Sequence, residues 1–219
     1  QQSEQSFPKD DSAAVKSKID SYGSFSEALK DTNEYYTLEN ELLRIVISSK
    51  GGKIDSVFLK EYKTWDSLPV NLVQGDSSRF DLTFFAQNRT ISTSGLNFEL
   101  AGDQKKVVVA NDSASLALRL YSGRESYIEY VYSMKANDYM IGFHIVLHNM
   151  AGIIAPNTSY LSLNWDTYMM RKEQGKEWED MNSTIYYKFY QDDVEYITET
   201  KDEAEEDLTT KVQWVAFKQ

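Results

Sequence analysis

The chain of 219 residues contains no cysteine, three prolines, two histidines and no long apolar run. The absence of cysteine excludes a disulfide framework, a thiolate-bound metal and a cysteine nucleophile. The few prolines argue against a proline-rich linker. The longest apolar stretches, at residues 143–148 and 150–155, are shorter than the roughly 20 residues that a membrane helix needs. The sequence therefore predicts a segment that does not span a bilayer.

Basic residues are outnumbered by acidic ones. The chain has 23 Lys and Arg against 34 Asp and Glu, which gives a formal net charge of -11 and an isoelectric point near 4.7. Such a charge repels phosphate groups, so nucleic acid is not expected as a partner, and docking on anionic lipid through a basic patch is disfavoured. The sequence starts without an initiator Met or a signal peptide. We therefore expect an excised soluble region of a longer protein.

The residues that are plentiful favour β-structure. Aromatic residues make up 13% of the chain, and short runs rich in Tyr, Phe, Val and Ile recur from residue 35 onward, separated by Asn, Asp, Gly and Ser. No long helical period lies between these runs, so we predict an all-β fold with minor α content, either a sandwich of antiparallel sheets or a barrel. The predicted strands cover residues 35–38, 43–48, 53–60, 80–86, 96–100, 105–110, 115–122, 127–135, 139–148, 158–166, 184–190, 194–198 and 210–217.

Two hairpin turns are predicted from local chemistry. Residues 43–48 alternate apolar and polar side chains, Gly51-Gly52 follows, and residues 54–62 carry a second apolar pattern. A double glycine between such runs is a strong signal for a hairpin with positive φ at the turn. The Ala-Asn-Asp sequence at residues 136–138 predicts a second tight loop. Gly95 is also expected to need positive φ.

Two polar segments stand apart from the strands. Residues 1–34 have too little apolar surface to offset their ordering entropy, so they predict a polar tether with weak helical tendency. Residues 169–182 form the long polar interruption within the strand-rich part of the chain. They predict an exposed loop that can hold a helical turn.

Two groups of side chains are candidates for metal binding. His144 and His148 are four residues apart, and on a strand they share a face but lie about 13 Å apart. Because a zinc–nitrogen bond is about 2.1 Å, one ion cannot bridge them, and structural or surface roles are expected. The acidic segment 192–207 suggests calcium, yet the Asp-x-Asp-x-Asp-Gly pattern is missing, so a solvated strand edge and loop is expected. Its acidic cluster consists of Glu203, Glu205, Glu206 and Asp207.

Catalytic motifs are weak. No Gly-x-Ser-x-Gly, P-loop or dinucleotide-binding glycine pattern occurs, and only the two histidines could act as a base. Acidic residues beside tryptophan are typical of sugar sites, although 34 acidic residues make such a group expected by chance. Its members are Trp165, Glu173, Glu177, Trp178, Glu179 and Asp180. Asn-x-Ser/Thr sequons start at Asn88, Asn111, Asn157 and Asn182.

Three segments resemble the periplasmic domain of YidC-type membrane protein insertases. They are ENELLRIVISSKGGKIDSVFLKEY at residues 39–62, IYYKFYQDDVEYIT at 185–198 and KVQWVAFKQ at 211–219. The first is similar to that family's opening hairpin, the second to its late Tyr-Lys strand region and the third to its terminal Trp-Val-Ala segment. Their order and spacing fit residues 35–219. The Tyr-rich, acidic character resembles the Bacteroidetes branch.

The resemblance implies a fold, a location and partners. The implied fold is a galactose-mutarotase-like β-super-sandwich over residues 35–219, after a tether of residues 1–34 that follows an N-terminal membrane helix absent from this chain. The implied location is the periplasmic face of a bacterial inner membrane. The implied partners are Sec translocon accessory subunits and nascent membrane proteins. The resemblance carries over no catalytic, cofactor-binding or metal-binding residue and implies no cofactor.

Three hypotheses for function follow. The first, carried by the resemblance, is a non-catalytic domain that contacts partners or substrates within an insertase, which inserts and folds inner-membrane proteins alone or with the Sec translocon. The second is a mutarotase-like sugar enzyme, which would need His144 or His148 opposite a Glu as base and acid. The third is a carbohydrate-binding module with Trp165 or Trp178 as a stacking platform.

Overall fold

The computed structural model describes residues 17, 20–155, 158, 160–198, 207–208 and 210–218, and these fold mainly into short strands. The strands are β1 (Tyr35–Glu39), β2 (Leu43–Ser48), β3 (Ile54–Lys63), β4 (Pro69–Gln74), β5 (Arg79–Ala86), β6 (Arg89–Ser92), β7 (Glu99–Leu100), β8 (Lys106–Val108), β9 (Ser113–Tyr121), β10 (Tyr127–Lys135), β11 (Ile141–His148), β12 (Ser162–Asp166), β13 (Thr184–Phe189), β14 (Val194–Thr198) and β15 (Val212–Lys218). The helices are the 3₁₀ helices Gly23–Ala28, Gly75–Ser77 and Thr93–Gly95 and the α-helix α1 (Lys176–Asn182).

The described strands form four sheets. Sheet A has the order β4-β3-β2-β1-β8, sheet B β11-β10-β9-β7, sheet C β12-β5-β6 and sheet D β14-β13-β15. The pairings whose register the structure describes are antiparallel, apart from a parallel pair of β1 with β8. The predicted all-β sandwich of antiparallel sheets is therefore confirmed, with one parallel pair added. Its likeness to galactose mutarotase stays a prediction.

The chain divides into two compact units. Unit 1 comprises residues 1–61 and 71–168, and unit 2 comprises residues 62–70 and 169–219. Sheets B and C belong to unit 1, and sheet D belongs to unit 2. The predicted division into a tether and a domain at residue 35 stays a prediction. No helix among the described residues is both long and apolar enough to cross a membrane.

The core of unit 1 follows from period-two alternation along its strands. In β10 every second side chain is buried and its neighbours are partly exposed, and β9 and β2 show a similar alternation. Full burial of each such apolar side chain contributes about 1.5–3 kcal/mol. The buried residues of these three strands include Leu43, Ile45, Ile47, Leu116, Leu118, Leu120, Ile128, Tyr130, Tyr132 and Met134.

The segment before β1 also reaches this core. Phe25 is 1% exposed, and its ring meets the edge of the Phe84 ring with centroids 5.8 Å apart. Ala28 is buried beside it in the same core cluster. The sequence prediction for residues 1–34 did not include this packing, because isolated Phe residues in a polar segment, here Phe7 and Phe25, give no periodic signal.

Both predicted hairpins are confirmed. β2 and β3 pair in antiparallel register across Gly51 and Gly52, which have φ of 78° and 61°. β10 and β11 pair across residues 136–140, where Asn137 has φ of 52°. The expectation for Gly95 is wrong, because it ends a 3₁₀ helix and is not among the residues with positive φ.

Two strands differ from the sequence prediction. The strands β4 and β6 were not predicted, since neither shows a clean apolar alternation. β4 starts at Pro69 and lies at the end of sheet A, where the missing N–H of proline is tolerated. The segment 169–182, predicted as an exposed loop that can hold a helical turn, contains the short helix α1, and Glu179 of that helix is buried.

Candidate functional site

The two histidines lie on the edge strand β11, as the strand pattern predicts. His144 pairs with Val131 of β10, and His148 pairs with Tyr127. The His148 ring stacks on the Tyr127 ring with centroids 4.7 Å apart. Both histidines are exposed, and a strand keeps residues four apart at about 13 Å. The structure therefore places them on the sheet surface, too far apart to share one ion.

The described residues contain no group of three or more His, Asp or Glu that could hold a metal ion. The acidic segment 192–207 contains β14 (Val194–Thr198), which lies at the end of sheet D. Glu203, Glu205 and Glu206 lie outside the described residues. The predicted loop there stays a prediction.

The acidic and tryptophan residues considered for a sugar site belong to two units. Trp165 lies on β12 in unit 1, whereas Trp178 and the acidic residues lie in unit 2. Within unit 2, Glu179 accepts a hydrogen bond from the backbone N–H of Lys172 at 2.7 Å. Burial lowers the pKa of Lys172, although the charge of Glu179 opposes this. Glu179 is therefore a structural group in α1, the one buried residue of a segment whose other residues are exposed or half-buried, as predicted.

Two clefts of unit 1 share Asn97 in their linings. Their volumes are about 590 Å³ and 440 Å³, within the range of small-ligand sites, and both are lined by Lys30, Asn97 and Glu99. Asn97 is 5% exposed, and its Nδ2 donates a hydrogen bond to the carbonyl oxygen of Thr32. Its Oδ1 is buried and lacks a hydrogen-bond partner among the described residues. Asn97 gave no signal in the sequence, because distant segments bury it.

Two ion pairs lie among the charged residues that line these clefts. Lys30 and Glu99 are 2.6 Å apart, and Lys105 lies 3.0 Å from Glu34. The hydrogen bond from Lys105 lowers the pKa of Glu34. The Tyr36 hydroxyl donates to Glu34 at 3.2 Å, and burial together with the Glu34 charge raises the pKa of Tyr36 to about 12. The clefts thus present paired charges, an amide and a hydroxyl.

This arrangement suits polar contact. Amide, hydroxyl and paired charged groups can hydrogen-bond to peptide or hydroxyl groups of a partner. The residues that line the two clefts include no histidine or cysteine, so none of them forms a thiol or hydroxyl nucleophile beside an imidazole base.

Asn40 is the polar residue that connects two hairpins of unit 1. It is 2% exposed, and its Oδ1 accepts hydrogen bonds from the backbone N–H groups of Leu42 and Leu43 at 2.9 and 2.7 Å. Its Nδ2 donates to the carbonyl oxygens of Lys135 and Asp138 at 2.8 and 2.7 Å. One side chain therefore fixes the turn before β2 to the loop after β10.

Asp81 is a fully buried carboxylate that links three strands of sheet C. It accepts hydrogen bonds from Arg79, from Ser92 of β6 at 2.8 Å and from Asn164 of β12 at 3.4 Å. Burial by itself would raise the pKa of Asp81, but the hydrogen bonds from Arg79 and Ser92 outweigh it and hold the pKa below its ordinary value. Asp81 is therefore a structural anion.

Comparison with known proteins decides the family. The profile of the family described as "YidC periplasmic domain" matches residues 35–219. The chain belongs to the YidC periplasmic domain family. The membrane protein insertase YidC of Parabacteroides distasonis is 34% identical over 209 residues, which are 95% of this chain and 32% of that protein. The predicted family and periplasmic location are thereby confirmed.

Two further relatives agree with this assignment. YidC of Azobacteroides pseudotrichonymphae is 32% identical over 200 residues, covering 91% of this chain and 31% of that protein. YidC of Bacteroides fragilis is 29% identical over 199 residues, with the same shares covered. The chain spans about a third of the length of these curated relatives. Their sources confirm the predicted Bacteroidetes character.

The segments that carried the resemblance are strands in this YidC periplasmic domain. Residues 39–62 form the hairpin of β2 and β3, and residues 185–198 contain most of β13 together with β14. Residues 211–219 contain β15, which pairs with β13. The terminal Trp-Val-Ala sequence thus belongs to a sheet edge in unit 2.

Proposed function

We propose that this chain is the periplasmic part of a membrane protein insertase that inserts and folds inner-membrane proteins, alone or with the Sec translocon. Within that protein it contacts partners or substrates and holds the adjoining membrane segments in position. The observation that carries the proposal is the family match over residues 35–219. The relatives bear the name membrane protein insertase and are about three times as long as this chain.

The surface supports contact as the mode of action. Large apolar side chains are exposed on the edge strands β11 and β12 of unit 1, where a partner chain can reach them. They include Ile145, Val146, Leu147, Leu163 and Trp165. In the proposed scheme the domain performs no chemistry of its own, and its partners are Sec accessory subunits and nascent membrane proteins.

The first test is an immunoblot of fractionated source cells with an antibody against this domain. We expect a band well above the 25.2 kDa of this chain in the inner-membrane fraction. Protease should cut it only after the outer membrane has been opened. A band at the mass of this chain outside the membrane fraction would refute the assignment to an insertase.

The second test addresses partners. A photo-crosslinking amino acid is placed at Leu147 or Leu163 in the full-length protein, and at Lys63 as an exposed polar control. Crosslinks to nascent inner-membrane proteins or translocon subunits are expected from the apolar positions. Equal crosslinking from Lys63 would mean that the contacts are non-specific.

A further inference from the structure

One face of sheet D in unit 2 carries aromatic side chains and lysines. In register, Lys188 of β13 lies between Val194 of β14 and Trp214 of β15. Side chains alternate along a strand, so residues two apart share a face. We call this surface the aromatic face, and its principal members are Tyr186, Lys188, Val194, Tyr196, Trp214 and Lys218.

The aromatic face is exposed at its two outer strands, while Tyr186 and Lys188 of the central strand are half-buried. Tyr196 is 62% exposed, and Trp214 is 39% exposed. The rings of Tyr186 and Tyr196 lie together with centroids 6.1 Å apart. On the opposite face Tyr187 is buried, and its ring meets the edge of the Phe189 ring at 5.6 Å. The packing on that opposite face is centred on Tyr187, whereas Val215 and Phe217 of β15 on the same face are 47% and 43% exposed.

The charges of this face differ from those of the rest of unit 2. Acidic residues outnumber basic ones in unit 2, yet the described strand positions of the aromatic face include none. Lys188 and Lys218 make no ion pair with any residue that the structure describes. The face is thus locally positive within an acidic unit, which complements a negatively charged partner surface.

We propose that the aromatic face lies on the phospholipid surface of the membrane. Tyr and Trp have an apolar ring and a polar tip, which suits the level of the lipid headgroups, and lysine can bury its stem while its ammonium reaches a phosphate. The choice of a membrane as the occupant rests on the proposed function. Contact is shallow, because one backbone edge of β15 pairs with no strand that the structure describes and has to remain hydrated.

A second copy of the chain fits this surface less well. Two aromatic faces brought together would oppose the lysines of one copy to the lysines of the other, with no acidic residue between them. The overall charge of -11 still disfavours a broad basic patch. The aromatic face instead combines ring burial with two lysines.

The test uses this chain and vesicles of phosphatidylethanolamine and phosphatidylglycerol. A variant that keeps Trp214 as its single tryptophan is compared with one that keeps Trp165. On addition of vesicles we expect Trp214 emission to shift to the blue and to be quenched by brominated lipid, while Trp165 emission stays unchanged. Lys188→Gln and Lys218→Gln should each weaken vesicle partition about five-fold, and salt should weaken that of the unaltered chain.

Phe217→Ser is the matched control, because Phe217 is exposed on the opposite face of the same strand. Its vesicle partition should equal that of the unaltered chain. The proposal is overturned if the chain does not bind vesicles or if the lysine variants bind as well as the unaltered chain. It is also overturned if sedimentation shows that the chain dimerises through the surface that contains Trp214. If the parent protein is found in the inner membrane and any of these results is obtained, the proposed lipid contact is wrong while the proposed function stands.

Discussion

The hydroxyl of Tyr132 gives a sharp test of how sheets A and B are joined. Tyr132 of β10 is 2% exposed, and its hydroxyl donates a hydrogen bond to the carbonyl oxygen of Gly52 at 2.6 Å. Tyr132→Phe keeps the ring and its contact with Phe143, whose centroid is 4.9 Å away. The substitution removes the hydroxyl donor and leaves the buried carbonyl oxygen of Gly52 without this hydrogen bond. We expect the free energy of unfolding to fall by about 1–3 kcal/mol.

Tyr130→Phe is the matched control. Tyr130 is on the same face of β10 and is fully buried, but its hydroxyl lies 3.4 Å from Thr93 Oγ1, near the limit of a hydrogen bond. Thr93 Oγ1 also accepts a hydrogen bond from the backbone N–H of Leu82 at 3.0 Å, so it keeps a partner. The expected loss for Tyr130→Phe is below about 1 kcal/mol.

The assay is urea unfolding followed by circular dichroism, supported by thermal unfolding. In a chain of this length each 1 kcal/mol lowers Tm by roughly 2–4 °C. Hydrogen exchange should also accelerate at the turn between β2 and β3 in Tyr132→Phe and not in Tyr130→Phe. Equal destabilisation by the two variants would refute the reasoning, because the Gly52 hydrogen bond would then contribute nothing specific.

Three further predictions concern buried polar groups. Asn40→Ala should lower the free energy of unfolding by about 2–4 kcal/mol, because four backbone groups lose the hydrogen bond to the Asn40 side chain. A urea unfolding curve that matches that of the unaltered chain would contradict this. Asp81→Asn should lower the free energy of unfolding at pH 7 by about 1–3 kcal/mol. Because the pKa of Asp81 is lowered in the folded state, the stability that its carboxylate contributes is present above about pH 4 and is lost as the pH falls further. The free energies of unfolding of the variant and the unaltered chain should therefore become equal in acid. Because the pKa of Tyr36 is raised to about 12 in the folded state, its contribution to stability is intact below its unfolded pKa of about 10 and is lost as the pH rises to 12. Alkaline unfolding followed by circular dichroism should therefore depend less steeply on pH in Tyr36→Phe. A curve identical to that of the unaltered chain would contradict the prediction.

Local chemistry in the sequence determined the fold class, most strands, two hairpins and the family. Period-two alternation reports which residues of a strand face a core, and the Gly51-Gly52 pair reports a turn that needs positive φ. Both signals need only neighbouring residues. The same local signals failed where alternation is weak, as in β4, and where a single Phe25 joins the core from a polar segment.

Tertiary structure alone decided which polar groups are buried and which surfaces exist. Asn40, Asp81 and Asn97 are ordinary polar residues in the sequence, and their partners lie in segments brought together by packing. The aromatic face likewise exists only because β13 pairs with β14 and β15 in one register, and a shift of one residue would turn Lys188 and Trp214 to opposite faces. Local residue patterns cannot encode that register, since it depends on contacts between strands distant in the chain.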